Sequence, residues 1–245
     1  MKDLQINKIF SIKDKKILVT GAAGGLGKSV IIFLLKNKAK VIATDISKIN
    51  LNHPNLIKFE KIDLSDKNDF SILKNYIYKI KKISGLINFC GIAHNNNFRE
   101  VVNINYIASF DLMELFTSYI IKNKIKKSSL INLTSLNSEM AFSNNPGYVS
   151  TKGALKMLSK SFAIDYAKYG IRFNNIGPGY FLTDMTKKFF KNKKKREERL
   201  KRIPLGRYGN PKEIFGIVAY LLSDASSYVT GQDFYVDGGF LSKGV

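Results

Sequence analysis

Short runs of β-branched and aliphatic residues alternate with longer stretches whose apolar positions recur every three or four residues. That is the pattern of strands and helices taking turns around a parallel sheet. "KKILVTG" (15–21) predicts a first strand running into a glycine-rich turn, and "KSVIIFLLKN" (28–37) a helix. Further strands are expected in "KVIATD" (40–45), "LIKFEKIDLS" (56–65), "GLINFCG" (85–91), "SSLINLTS" (128–135), "IRFNNIGPG" (171–179) and "DFYVDGG" (233–239). Helices are expected over 102–123, over 148–170 with Gly170 as its left-handed stop, and over 211–224 with Pro211 in its first turn. No repeat of 20–50 residues and no Pro- or Ser-rich linker interrupts the chain. Residues 1–245 therefore read as one α/β domain, a doubly wound parallel sheet of about seven strands with helices on both faces.

Charge complicates this picture. Forty Lys and Arg against 19 Asp and Glu leave a net charge of +21, which would favour polyanionic partners. Only six of the forty are Arg, however, and the chain also holds 22 Asn and 29 Ile, a bias that an AT-rich genome generates without selection for binding. A single cysteine, Cys90, excludes an internal disulfide framework and suits a reducing compartment. The first residues carry no signal-peptide pattern and apolar runs such as "VIIFLL" (30–35) are too short to span a bilayer, so a soluble, cytoplasmic protein is expected. The two histidines, His53 and His94, lie in polar loops without metal-ligand spacing, and no metal site is expected.

Candidate chemistry begins at "TGAAGGLG" (20–27). Gly21, Gly25 and Gly27 permit a tight turn and close approach of a pyrophosphate to amides at a helix N-terminus. A glycine-rich turn alone is equally what a structural strand–helix connection contains. Eighteen residues beyond Gly27, Asp45 ends the second strand, where a carboxylate would accept both adenosine ribose hydroxyls and repel a 2′-phosphate. The pair favours NAD over NADP. In "GYVSTKGAL", Tyr148 and Lys152 stand four apart, one helical turn along one face. A lone pair of this kind is also found on solvated helix faces. Here a neighbouring ammonium is expected to lower the phenol's pKa toward neutrality, and Ser135, closing the fifth strand, would point at the same spot.

With these residues in hand, the chain resembles the short-chain dehydrogenases/reductases, in the branch of about 250 residues with a Rossmann-like fold. The spacing T-G-x-x-x-G-x-G falls on Thr20, Gly21, Gly25 and Gly27, and the resemblance runs from Lys15 to Phe240. It implies reversible hydride transfer between a secondary alcohol and a ketone, with Tyr148 as acid/base, Lys152 assisting it and holding the nicotinamide ribose, and Ser135 orienting the substrate oxygen. Asn105, preferred over Asn103, would hold a water in a proton relay. Cofactor contacts are implied at Gly21, Gly25, Leu26, Gly27, Asp45, Asp63, Leu64, Asn88, Gly91, Tyr148, Lys152, Pro178, Gly179 and Thr183. Substrate contacts are implied at Ser135, Tyr148, His94 and Asn137. NAD is the expected cofactor, with NADP the lesser alternative, and a homotetramer or homodimer the expected assembly. Within the family, the chain is similar to oxidoreductases of bacterial surface-sugar and flagellin modification, which suggests a polar, carbohydrate-like substrate, and to NADPH-dependent 3-oxoacyl carrier-protein reductases. No nucleic acid or membrane is expected as partner. A non-catalytic nucleic-acid-binding protein on the same fold is the alternative from another class, disfavoured because Asn105, Ser135, Tyr148 and Lys152 are all present.

Several features depart from that family. Thirteen residues separate Gly91 from Asn105, about ten fewer than the family leads one to expect, and the polar "HNNNFRE" (94–100) is either a wall of an open pocket or a solvated turn. After Asp45 there is little room for a helix before the third strand. Cys90 stands where the family has alanine and reads as a small buried filler. Ten of the sixteen residues from Lys187 to Arg202 are basic, in the segment (about 183–206) that covers the substrate in this family, so the run reads as a lysine-enriched lid. Lys187, Lys188 and Lys191 are candidates to meet an anionic substrate.

Overall fold

Seven strands form one all-parallel sheet in the computed structural model, which describes residues 6–93, 97–183 and 193–243. The strands are β1 (Lys16–Thr20), β2 (Lys40–Asp45), β3 (Leu56–Lys61), β4 (Ile83–Asn88), β5 (Ser128–Leu133), β6 (Ile171–Pro178) and β7 (Asp233–Val236), in the order β3-β2-β1-β4-β5-β6-β7. Direction along the sheet reverses beside β1, which creates a crevice at the carboxyl ends of β1 and β4, where such sheets bind ligands. Thr20 pairs with both Thr44 and Asn88 at that edge, so the glycine turn, Asp45 and Cys90 converge on one side of the sheet.

Because crossover helices cover both faces, the middles of β1 and β2 are unbroken apolar runs and successive residues pack in opposite directions. Leu18, Leu86 and Leu130 pack with Leu73 and Ile77 of α3 (Lys67–Lys79), Phe116 and Tyr119 of α5 (Ala108–Lys122), and Leu155 and Phe162 of α6 (Pro146–Tyr166). Their neighbours Val19, Ile87 and Ile131 pack with Ile31 and Leu34 of α2 (Gly25–Lys36) and with Val218 and Leu221 of the helix Phe215–Leu222. Tyr119 is fully buried yet has both its polar needs met: its hydroxyl donates to the Ile80 carbonyl at 2.6 Å and accepts from the Ile83 amide at 3.1 Å.

Three local differences from the sequence expectation have clear causes. The expected strand at 56–65 stops at Lys61, because the Asp63 carboxylate accepts from the Ser65 amide at 2.9 Å and bends the chain. Helix α3 follows, a helix the apolar pattern did not predict; Asp66 caps it by accepting from the amides of Asn68 and Asp69. The expected helix at 102–123 is composite: α4 (Phe98–Val102), a π-turn at Asn103–Ile107, then α5. No helix separates β2 from β3, as the short connection implied. Near the C-terminal third, α7 (Lys193–Lys201) rests through Leu200 on a small cluster of Leu136, Ile203, Tyr208 and Phe240.

Candidate active site

The glycine turn is shaped by close approaches. Gly21 has φ +65, and a Cβ there would come within 2.5 Å of the Phe89 carbonyl carbon; one at Gly27 would stand 2.1 Å from the Gly21 oxygen. Helix α2 therefore starts against the end of β1, and its N-cap Gly24 supplies no side-chain cap to the first amides, those of Gly25, Leu26 and Gly27. Uncapped amides at a helix N-terminus suit a diphosphate, so the residues present fit a dinucleotide. Thr183 lies across this turn: a Cβ on Gly25 would meet its side chain at 2.4 Å. Asp45 flanks the turn, accepting from the amides of Ala23 and Ser47, each at 2.8 Å. Each carboxylate oxygen keeps a second lone pair for a ribose hydroxyl.

Asp63 accepts from the Ser65 hydroxyl at 2.7 Å, and the Leu64 side chain is sunk in the core, so a contact from Leu64 to adenine must come from its backbone. Asn88 faces inward. Its Oδ1 accepts from Thr20 at 2.7 Å and from the Cys90 amide at 3.1 Å, while its Nδ2 donates to Ser109 at 3.0 Å and Asn132 at 3.3 Å. Asn132 donates onward to Ser159 at 2.8 Å. This buried polar chain ties the turn after β1 to α5 and α6, and its members Ser109, Asn132 and Ser159 were not singled out in the sequence, because only folding brings them into register.

Asn105 is fully buried in the π-turn, a distortion often found at functional sites. Its Oδ1 accepts from the Ile92 amide at 2.8 Å and its Nδ2 donates to the Ile92 carbonyl at 3.0 Å and to Thr151 at 3.2 Å. It thereby clamps the loop after β4 onto α6. Lys152, one residue after Thr151, is 4% exposed; its Nζ donates to the Leu133 carbonyl at 2.7 Å and lies 5.6 Å from the centre of the Tyr148 ring. A Cβ on Gly91 would come within 3.4 Å of that Nζ and 3.2 Å of Asn105 Oδ1. Ser135 caps the turn Leu136–Ser138, accepting from the Asn137 amide at 3.2 Å, and stands close enough to the Tyr148 phenol to lower its pKa. Pro178 ends β6 and Gly179 donates to the Val236 carbonyl at 2.9 Å, with Asp237 so near that any Cβ on Gly179 would clash at 2.6 Å. Asn105, Ser135, Tyr148 and Lys152 are thus brought together; His94, Lys187, Lys188 and Lys191 lie outside the described residues.

Electrostatics differ from the expectation in one respect. Burial holds the Tyr148 phenol above its ordinary pKa, with the Ser135 hydrogen bond pulling the other way, and Lys152 does not reverse this. The reason is that Lys152 is itself desolvated: burial pulls its ammonium from 10.5 down to about 8. Burial also raises the Cys90 thiol to about 11, which keeps it neutral and unreactive at physiological pH. Among the described residues there is no group of three His, Cys, Asp or Glu placed to hold a metal, and no helix long and apolar enough to cross a membrane.

A family model described as "Enoyl-(Acyl carrier protein) reductase" matches residues 21–241. The chain belongs to the short-chain dehydrogenase/reductase family. Like its relatives, this short-chain dehydrogenase/reductase is similar to proteins of several specificities. It is 32% identical to the 5-keto-D-gluconate 5-reductase of Escherichia coli strain K12, over 96% of this chain and 99% of that one. A solved structure described as a gluconate 5-dehydrogenase of Beutenbergia cavernae, with bound NADP, superposes with a TM-score of 0.86 at 25% identity, covering 96% of this chain and 99% of that one. A 4-hydroxyisoleucine dehydrogenase complexed with NADH superposes with a TM-score of 0.82 at 31% identity, covering 93% and 99%. A nicotinamide dinucleotide is accordingly the cofactor class of this oxidoreductase.

Proposed function

We propose that this enzyme interconverts a secondary alcohol and a ketone on a polar, sugar-like substrate that carries a negative charge, using NAD. The observation that carries this reading is the convergence of Ser135, Tyr148, Lys152 and Asn105 at the carboxyl ends of β4 and β5, beside the glycine turn. Pro178, Gly179 and Thr183 would hold the nicotinamide, which would supply the redox chemistry by accepting or giving the hydride. The protein's own residues handle the proton. In oxidation, the Tyr148 phenolate takes the hydroxyl proton as the C–H bond breaks; in reduction, the phenol returns it to the developing alkoxide. Ser135, beside Tyr148 and bonded to Asn137, would hold the substrate oxygen in line. Lys152 would hold the nicotinamide ribose and pass protons on to a water held at Asn105.

The whole chain would act as one nucleotide-binding unit. Asp45 underlies the choice of NAD, since its carboxylate would repel a 2′-phosphate. The steady-state kcat/KM with NADH is expected to exceed that with NADPH, and Asp45→Ala to reduce the ratio by about tenfold, the value of a charged hydrogen bond or two. An NADPH preference in the unaltered enzyme would sink the NAD assignment. A 3-oxoacyl carrier-protein reductase is the second reading, favoured by the carrier-protein wording of the family model; activity on an acyl thioester but on no ketose would install it.

Assembly follows from the same helices. Ile107, Phe110, Met157 and Ile164 are 43%, 38%, 61% and 79% exposed along α5 and α6, an apolar face suited to a second copy in a dimer or tetramer. Sedimentation velocity should give an oligomer, and Ile164→Glu should weaken it; a monomer at micromolar concentration refutes this assembly.

A further inference from the structure

Arginine is scarce here, six of 40 basic residues, so its use in place of lysine marks positions where a planar, delocalised cation matters. Three of the six, Arg196, Arg199 and Arg202, follow one another at intervals of three along α7 and its end. Two others have structural duties. Arg172 donates to the carbonyls of Leu221 at 2.8 Å and of Ser223 and Val229 at 3.3 Å, and Arg207 forks onto Glu213 at 2.8 and 2.6 Å. Arg199 and Arg202 instead lie over aromatic rings, 5.3 Å from the centre of Tyr180 and 4.9 Å from that of Phe240. Those rings contact each other edge-on at 5.5 Å. Neither guanidinium pairs with a carboxylate among the described residues.

The aromatic seats of both arginines share one cluster with the residue that follows Ser135. Tyr180 follows Gly179 at the end of β6, whose neighbour β5 leads into Ser135; Leu133 pairs with Ile176, and the Thr134 amide donates to the Ile176 carbonyl at 2.9 Å. Leu136, the residue after Ser135, packs in the same cluster as Tyr180, Phe240 and Leu200. A guanidinium held over a ring by cation–π attraction has five N–H donors, enough to meet a second, anionic partner as a fork. An ammonium would be held less rigidly.

We infer that Arg199 and Arg202, seated on Tyr180 and Phe240, bind an oxyanion of the substrate, a carboxylate or phosphate set apart from the reacting carbon. This rests on the dehydrogenase reading for its substrate, but the site can be tested without turnover. Calorimetric titration of the enzyme with D-gluconate, sorbitol 6-phosphate and neutral sorbitol, each in the presence of cofactor, separates carboxylate, phosphate and uncharged ligands. At least one anion is expected to bind about tenfold or more tighter than sorbitol. The double variant Arg199→Gln, Arg202→Gln should bring the ratio of anion to neutral affinity to within about twofold of one, and Arg199→Lys, Arg202→Lys should restore it only in part. An unchanged ratio in the Gln variant, or no preference for either anion in the unaltered enzyme, overturns the proposal. Charge-dependent binding that the Gln variant abolishes, in an enzyme that reduces no ketone, would sink the dehydrogenase reading and leave this site standing.

Discussion

Tyr148→Phe is expected to lower kcat by roughly 10²–10⁴-fold, the usual span for loss of a general acid/base, while NADH binding changes by less than about twofold. One oxygen is removed and the ring stays. Its packing beside Lys152, 5.6 Å away, is unaltered, and only the hydroxyl facing Ser135 is lost. Folding should therefore survive, and fluorescence titration with NADH reads the cofactor site separately from turnover. Turnover within a few-fold of the unaltered enzyme would remove Tyr148 from the mechanism. The pH dependence carries further information. Burial raises the phenol's pKa in the protein alone, and oxidation needs the phenolate, so alcohol oxidation should accelerate as pH rises above neutrality. Ketone reduction, which needs the phenol, should not share that rise.

How much of this was legible in the chain depends on the range over which each signal acts. Glycines at 21 and 27 are local signals: each is required because backbone lies within 2.5 Å of where a side chain would begin. The strands were legible because both faces of the sheet are covered, which leaves unbroken apolar runs such as "KILVT". Helix α3 was not, since only Leu73 and Ile77 of its residues are buried and its polar residues outnumber the apolar ones; its one firm mark was the cap at Asp66. The π-turn at Asn103–Ile107 has no sequence mark at all. It is stabilised by the grip of Asn105 on Ile92 and Thr151, residues 13 and 46 positions away. Charge shifts were the least legible. Spacing placed Lys152 beside Tyr148, but the depth at which both are buried decides which of them is perturbed more. Arg199 and Arg202 stand between these extremes: the scarcity of arginine is written in the composition, and their aromatic seats are visible only in the fold.

Lys152→Met should separate function from stability. Turnover is expected to fall by about 10²-fold or more, because the ammonium that would hold the nicotinamide ribose and relay the proton is gone. Stability at pH 7 should nevertheless hold or rise. A shift from 10.5 in the unfolded chain to about 8 in the folded one corresponds to about 3 kcal/mol of desolvation cost, at about 1.4 kcal/mol per unit. Removing the ammonium relieves that cost, while the Leu133 carbonyl, now without its 2.7 Å donor, returns about 1–3 kcal/mol of it. The sign across pH follows from the depressed pKa. Below about 8 the lysine is charged in both states and the cost is fully present; between about 8 and 10.5 the folded state binds fewer protons than the unfolded one, so stability rises with pH. The difference in unfolding free energy between the Met variant and the unaltered enzyme should therefore shift by about 2–3 kcal/mol toward the unaltered enzyme from pH 7 to pH 10. Urea denaturation at the two pH values measures it. A difference that stays constant would mean that Lys152 keeps an ordinary pKa, and its role in tuning Tyr148 would have to be sought in geometry alone.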